Sequence, residues 1–158
     1  MSYKEILITN KKVLIPKHKC EHTDYEYYKY EVTKFSEGNQ CCVAIYEIPP
    51  GKAGYPYHFH TKSEEVFYII SGVGILQTHS GDRAVAAGDI IVCPPTEKGA
   101  HKLINSSKTE NLVYMDFDTV AFPEVIFYPH SNKVGVFVND ELKRFYKEGS
   151  DVDYYAGE

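Results

Sequence analysis

The sequence has no tryptophan, only two methionines and no apolar run near the ~20 residues that a membrane-spanning helix needs. It also lacks a basic cluster, because its 17 lysines and arginines are scattered among 22 acids and leave a net charge of −5. Neither nucleic acid nor a membrane is therefore an expected partner. The first ten residues contain Glu5 and no apolar core, so no secretory signal is expected and a cytoplasmic location follows by default.

The four cysteines form no C-x-x-C pair, which argues against a zinc ribbon or a dithiol redox centre. Cys41 and Cys42 are adjacent, so in a strand their side chains point to opposite faces and cannot serve one site. We expect free and mostly buried thiols, as is usual in a cytosolic chain.

Strand signals dominate from about residue 40 to residue 138. Short runs rich in β-branched and aromatic residues alternate with turn sequences built from Gly, Pro, Asn, Asp and Ser, roughly every 8–12 residues. This spacing predicts an all-β sandwich or closed jelly-roll barrel. The predicted strands are Cys41–Ile48, Glu65–Ile70, Gly74–His79, Arg83–Ala86, Asp89–Val92, His101–Ile104, Leu112–Phe117, Val125–Tyr128 and Lys133–Val138.

Three segments are predicted along the chain: an N-terminal extension over 1–40, the barrel over 41–138, and a short helix with a polar tail over 139–158. The extension is expected to pack strands on the barrel, with a candidate strand at Lys12–Ile15. The helix is expected because Asn139 or Asp140 can cap it, acids precede bases along it, and Gly149 follows.

The strand Glu65–Ile70 is apolar on both faces. Alternation places Val66, Tyr68 and Ile70 together on the face opposite to that of Glu65. A sheet face this apolar must be covered by another part of the chain or by a second copy. A homodimer is the simpler prediction.

The chemistry is concentrated in Tyr57–Glu65. In an extended segment His58 and His60 project to one side, which lets both imidazoles reach one cation. After a short polar turn, Glu65 opens the neighbouring strand and can bind the same ion, and His101 opens a later strand. Three histidines and one glutamate suit one divalent transition metal such as Fe, Mn, Zn or Ni, and suit Ca or Mg poorly.

These residues carry a family resemblance. The stretch His58-x-His60-x4-Glu65-x6-Gly72 resembles the first sequence motif of the cupins. Downstream, Gly88-x5-Pro94 and His101-x3-Asn105 resemble the second motif. The resemblance implies a double-stranded β-helix, the cupin jelly-roll barrel, with His58, His60, Glu65 and His101 as metal ligands.

Two departures from the cupin pattern stand out. The leading glycine of the first motif is displaced by one position, at Gly51, and the turn between Pro94 and His101 is two residues longer than usual. A longer turn between strands is usually tolerated, so His101 is kept as a ligand. Asn105 lies ~13 Å along the strand from His101, so it is expected to form a turn rather than to bind metal.

Cupins host many activities, so the function stays open between three classes. The first is a metal-dependent enzyme acting on a small polar or carbohydrate-like ligand, because the chain is similar to small bacterial cupins described as sugar-phosphate isomerase-like. The second is an Fe(II)-dependent dioxygenase, and the third is a non-catalytic cupin that binds a small ligand. The candidate base is Glu97, and the candidate residues of the substrate pocket are Tyr55, Tyr57, Phe59 and Lys98.

Overall fold

The computed structural model describes residues 5–158, and the chain in that range is almost entirely β-structure. None of its helical turns has the length or apolar character of a membrane-spanning helix. The strands are β1 Lys17–His22, β2 Tyr25–Glu31, β3 Cys41–Ile48, β4 Phe59–His60, β5 Glu65–Ser71, β6 Val73–Thr78, β7 Gly81–Ala86, β8 Ile90–Cys93, β9 His101–Asn105, β10 Leu112–Thr119, β11 Glu124–Tyr128, β12 Lys133–Phe137 and β13 Lys143–Lys147.

The strands form three antiparallel sheets. Their orders are β1-β2-β3-β10-β5-β8, β13-β12-β11-β4 and β7-β6-β9. Apolar side chains from β3, β5 and β10 meet those from β6, β7 and β9 in one core, so the six-stranded and three-stranded sheets face each other. The all-β jelly-roll prediction is therefore confirmed, and all nine predicted strands are present with ends shifted by two residues or fewer.

The prediction of a C-terminal helix is wrong. Residues 143–147 form β13, which pairs with β12 in a regular antiparallel register. The side chain of Asn139 does cap nearby backbone, since its Oδ1 accepts hydrogen bonds from the amides of Glu141 and Leu142. The cap closes a turn between two strands, because pairing with β12 provides a partner that an isolated short helix lacks.

The N-terminal segment also differs from its prediction. Lys11–Val13 form a single 3₁₀ turn where a strand was expected at Lys12–Ile15. The strands of this region are β1 and β2, and β2 pairs with β3. Residues 1–4 of the predicted extension lie outside the described residues, and the division into 1–40, 41–138 and 139–158 stays a prediction.

Asn105 has the turn-forming position expected of it. Its side chain is almost fully buried at the end of β9, and its Nδ2 donates to the carbonyls of Ile48 and Glu110 at 2.8 Å each. Its Oδ1 accepts a hydrogen bond from the amide of Ser107. The amide side chain therefore joins the end of β3 to the loop before β10.

Candidate metal centre

Four side chains converge inside the barrel, and they are the four predicted ligands. The Oε2 atom of Glu65 lies 3.1 Å from His101 Nε2, 3.6 Å from His60 Nε2 and 3.7 Å from His58 Nε2. Two atoms bound at right angles ~2.1 Å from one ion are ~3.0 Å apart, and wider bond angles give larger separations. The ligand atoms of His58, Glu65 and His101 all lie within 4.8 Å of one another, which suits one shared ion, and His60 lies beside the same Glu65 oxygen without joining that set.

Backbone pairing holds the two halves of the cluster together. His58 and His101 exchange two backbone hydrogen bonds, of 3.1 and 2.9 Å, although they are 43 positions apart in the chain. His60 is paired with Ile126 of β11, and Glu65 opens β5, where it pairs with Asp118 of β10. The predicted ligands are therefore held by backbone pairing rather than placed on free loops.

Two of the imidazoles are oriented by carbonyl groups. His58 Nδ1 lies 2.8 Å from the carbonyl oxygen of Pro56, and His101 Nδ1 lies 2.9 Å from that of Gly99. A carbonyl can only accept, so each Nδ1 carries a proton, and each Nε2 faces the Oε2 atom of Glu65. This is the usual second-sphere arrangement of a histidine that binds metal.

Gly99 explains how the enlarged turn still delivers His101. A Cβ atom at this position would lie 1.7 Å from the carbonyl oxygen of Pro94, so the chain can pass only without a side chain. The turn then closes with hydrogen bonds from Gly99 and Ala100 to Thr96 and Glu97. The two additional residues are absorbed in this turn, and His101 reaches the cluster.

The charges of the cluster are those that a cation would balance. Burial alone would raise the pKa of Glu65, but the neighbouring histidines outweigh it and hold that pKa well below its usual range. Burial lowers the pKa of His58 to about 4, so this imidazole is neutral at physiological pH. The Oε2 atom of Glu65 is buried with no hydrogen-bond partner, as is Nδ1 of His60. At His60 and His101 burial would lower the pKa, but the Glu65 carboxylate outweighs it and raises the pKa of both, so a metal ion would have to displace protons from these imidazoles.

Glu124 fixes the turn that separates His60 from Glu65. This carboxylate is buried, and its two oxygens accept six hydrogen bonds of 2.7–3.1 Å. The donors are the hydroxyls of Thr61 and Ser63 and the backbone N–H groups of residues 61, 62, 63 and 125. The turn joins two ligands, so its rigidity sets their spacing.

Comparison with known proteins identifies a family domain within the chain. The cupin-domain family model matches residues 44–118, which contain all four converging side chains. Residues 44–118 of this chain therefore form a cupin domain. No protein of curated function resembles the sequence closely enough to count as a relative.

Solved structures with the same fold span nearly the whole cupin chain. A candidate sugar phosphate isomerase from Acidithiobacillus ferrooxidans is 22% identical with a TM-score of 0.80, over 93% of this chain and 95% of that one. A sugar phosphate isomerase of the cupin superfamily from Silicibacter pomeroyi is 14% identical with a TM-score of 0.78, over 94% and 98%. KdgF from a Halomonas species is 14% identical with a TM-score of 0.56, over 75% and 96%. At these identities the likeness establishes the fold.

The predicted pocket residues of this cupin take different positions. Tyr55 lines a small cavity beside Glu65, and its hydroxyl lies 3.0 Å from that of Tyr46. Tyr57 stacks on the ring of His130, and Phe59 stacks on Phe127. Phe59 adjoins His60 in β4, so its ring lies on the strand face opposite to the ligand.

Neither Lys98 nor Glu97 is among the residues that line that cavity. Lys98 lines a groove between β7 and β8, together with His101. The Glu97 side chain is 72% exposed, and its Oε1 lies 3.8 Å from Nδ1 of His79. The assignment of Glu97 as a base stays a prediction.

Two acids of β10 were missed by the sequence analysis. Asp116 and Asp118 alternate with Met115 and Phe117, so both carboxyl groups share the inward face of the strand with Tyr114. Each has an Oδ1 atom that is buried with no hydrogen-bond partner, and Asp116 lines the cavity beside Glu65. Burial raises the pKa of Asp116 well above its usual range and that of Asp118 to about 7. The sequence did carry a signal for them, since two acids alternate with apolar residues in the strand β10.

Proposed function

We propose that this cupin is a metal-dependent enzyme acting on a small polar, carbohydrate-like substrate, with isomerisation of a sugar phosphate as its reaction. The observation that carries the proposal is the position of Asp116. A nearly fully buried carboxyl group without a hydrogen-bond partner on one oxygen faces the same cavity as His58, Glu65 and His101. Such a group lowers stability, and perturbed acids beside a metal cluster are typical of active sites.

His58, His60, Glu65 and His101 would hold the metal, which when bound supplies a Lewis acid for substrate oxygens. A metal held by these side chains would leave positions for substrate oxygens. Aromatic rings, including that of Phe67, also line the cavity.

Isomerisation needs one group that takes a proton from a carbon next to a carbonyl and returns it to the neighbouring carbon. We assign this task to the carboxyl group of Asp116, a residue that lines the cavity, ahead of Glu97, which lies on the surface. The hydroxyl of Tyr55, a residue that lines the same cavity, is hydrogen-bonded to that of Tyr46 and would orient a hydroxyl group of the substrate. Two structures of the same fold, a candidate sugar phosphate isomerase and a sugar phosphate isomerase, support this choice of substrate class.

The test is exchange of carbon-bound hydrogen with solvent deuterium, followed by NMR on a panel of aldose and ketose phosphates with metal-loaded protein. We expect exchange and interconversion for at least one substrate. Asp116→Asn is expected to lower the rate at least about 100-fold at unchanged metal content. Glu97→Gln is the matched control and should leave the rate within about twofold of wild type.

Three results would contradict the proposal. Oxygen consumption with oxidised products would point to a dioxygenase. Binding of sugars without exchange on any substrate would point to a non-catalytic cupin. Full activity of Asp116→Asn would remove the role of that acid. The metal's identity among Fe, Mn, Zn and Ni and the cytoplasmic location stay predictions.

A further inference from the structure

A second group of acids adjoins the histidine cluster. Asp118 of β10 lies directly opposite Glu65 of β5, and Asp116 precedes Asp118 by two positions on the same inward face. One carboxylate oxygen from each of these three residues lies within 4.8 Å of the other two. Like charges directly opposite each other in a sheet are destabilising, so three carboxylates this close require protons or a cation among them.

The two aspartates receive no counter-charge from a lysine or arginine. The Oδ1 atoms of Asp116 and Asp118 are buried without a hydrogen-bond partner, and Asp116 as a whole is only 6% exposed. Lys29 lines a cavity beside both, but its ammonium group lies 3.6 Å from Oε1 of Glu31 and over the ring of Tyr46. In the part of the chain that the structure describes, neither aspartate forms an ion pair with a lysine or arginine. A buried acid in this state lowers stability unless it binds a cation or a proton.

Asp116 lines two different cavities. The first also has His58, Glu65 and His101 in its wall. The second has a volume of about 10 Å³ and is lined by Asp116 and Asp118, and its other walls come from β2, β3 and the segment between them. Such a volume holds about one water-sized particle, which is also the size of one dehydrated cation. A cation can therefore meet the two aspartates in a cavity that none of the three clustered histidines lines.

We propose that Glu65, Asp116 and Asp118 bind a second divalent cation, of the class of Mg²⁺, Ca²⁺ and Mn²⁺, beside the transition metal of the histidine site. Carboxylate oxygens are the ligands that these ions prefer, whereas imidazole suits Zn, Fe and Ni. Glu65 belongs to both groups and can offer an oxygen to each ion, and pairs of ions ~3.5–4 Å apart are found in many enzymes. The inference goes beyond the proposed isomerase function, which requires one metal ion only.

The second ion is expected to bind more weakly than the first. It shares Glu65 with another cation, and the two positive charges repel each other. We expect a dissociation constant for calcium of ~10⁻⁴–10⁻³ M, the range of weak calcium sites in proteins. This ion is then lost when excess metal is removed, and one tightly bound ion per chain remains. While bound, it occupies the Asp116 carboxyl group, so saturating calcium is expected to inhibit the proposed reaction.

The first test is equilibrium dialysis of zinc-loaded protein against calcium, which the histidine site accepts poorly. We expect saturable binding of one calcium ion per chain. Asp116→Asn and Asp118→Asn should each raise the dissociation constant at least about tenfold, because each removes a charged ligand, and should keep the zinc ion. Asp151→Asn changes an exposed acid of the C-terminal tail and should bind calcium as the wild type does. A wild type that binds no calcium, or Asp116→Asn and Asp118→Asn proteins that bind it unchanged, would overturn the proposal.

The second test uses the wild type alone, so it does not depend on how the variants fold. Terbium binds oxygen ligands as calcium does, and its luminescence is excited through nearby tyrosines such as Tyr114, which shares the inward face of β10 with both aspartates. We expect tyrosine-sensitised emission that calcium suppresses, with lifetimes in water and deuterium oxide showing that the ion has lost more than half of its water. A well-hydrated terbium ion, or emission that calcium leaves unchanged, would overturn the proposal. Neither measurement requires turnover, so failure of the isomerase assay would leave both results unaffected.

Discussion

Replacement of Glu124 by glutamine is the sharpest test of how the barrel positions its ligands. The carboxylate accepts six hydrogen bonds. Four of the donors are backbone N–H groups, which cannot become acceptors. In the least disruptive orientation the new NH₂ group replaces Oε2 and faces the amide of Ser63, which is then buried without an acceptor. The Ser63 hydroxyl can reverse its role.

An unpaired buried amide costs ~1–3 kcal/mol, and loss of the charge weakens the remaining bonds. We therefore expect Glu124→Gln to lower the free energy of unfolding by about 3 kcal/mol near neutral pH. Metal affinity should fall ~10–100-fold, because the loosened turn joins His60 to Glu65. Urea unfolding of the metal-free protein and a metal titration measure the two effects. Glu64→Gln, in the same turn but exposed, is the control and should change neither.

The pH dependence has a definite sign. Burial alone would raise the pKa of Glu124, but the hydrogen bonds from Ser63 and Thr61 outweigh it and lower the pKa from 4.5. The carboxylate therefore contributes its full stability above the unfolded value and loses it as the pH falls through the lower folded value. The difference between wild type and Glu124→Gln should be constant above about pH 5.5 and shrink below about 4.5. A loss under about 0.5 kcal/mol, or a difference that persists in acid, would refute the reasoning.

Three further predictions concern stability and reactivity. Gly99→Ala should lower the free energy of unfolding by about 3 kcal/mol or more and abolish metal binding, because the added Cβ overlaps the Pro94 carbonyl. A normal metal content in Gly99→Ala would contradict this prediction. Asn105→Ala should lower unfolding free energy by about 2–3 kcal/mol through loss of three hydrogen bonds, with metal stoichiometry unchanged; a drop in stoichiometry would make it part of the site. Burial raises the pKa of Cys42 to about 12. A thiol reagent at pH 8 should therefore modify the exposed Cys20 at once, and Cys42 only after unfolding. Rapid labelling of Cys42 in the native protein would disprove its burial.

The part of the site that is local in sequence was predictable. His58, His60 and Glu65 lie within eight residues, where strand alternation and one short turn fix their relative positions. His101 required the family pattern as well, because its approach depends on Gly99 passing against the Pro94 carbonyl. Asp116 was missed because its position beside the cluster follows from the pairing of β10 with β5, which no local pattern encodes.

The fold was predictable where strands alternate with turns, and failed at the chain ends. At Lys143–Lys147 the cap residues and the order of charges resemble a helix start, yet β12 supplies a full ladder of backbone hydrogen bonds. Every residue of β2, Tyr25–Glu31, is half-buried, so its tyrosine-rich sequence shows no alternation between a buried face and an exposed face. Tertiary pairing decided both segments.

The most direct test of the central claim is metal stoichiometry, measured by elemental analysis after titration of the purified protein with a divalent transition metal and removal of the excess. The account predicts about one ion per chain for the wild type. At the same free metal concentration, little or no bound metal is expected for His58→Ala, His60→Ala, Glu65→Gln and His101→Ala. His79→Ala, outside the cluster, should retain the full ion. A wild type that binds no metal, or ligand variants that retain it fully, would contradict the account.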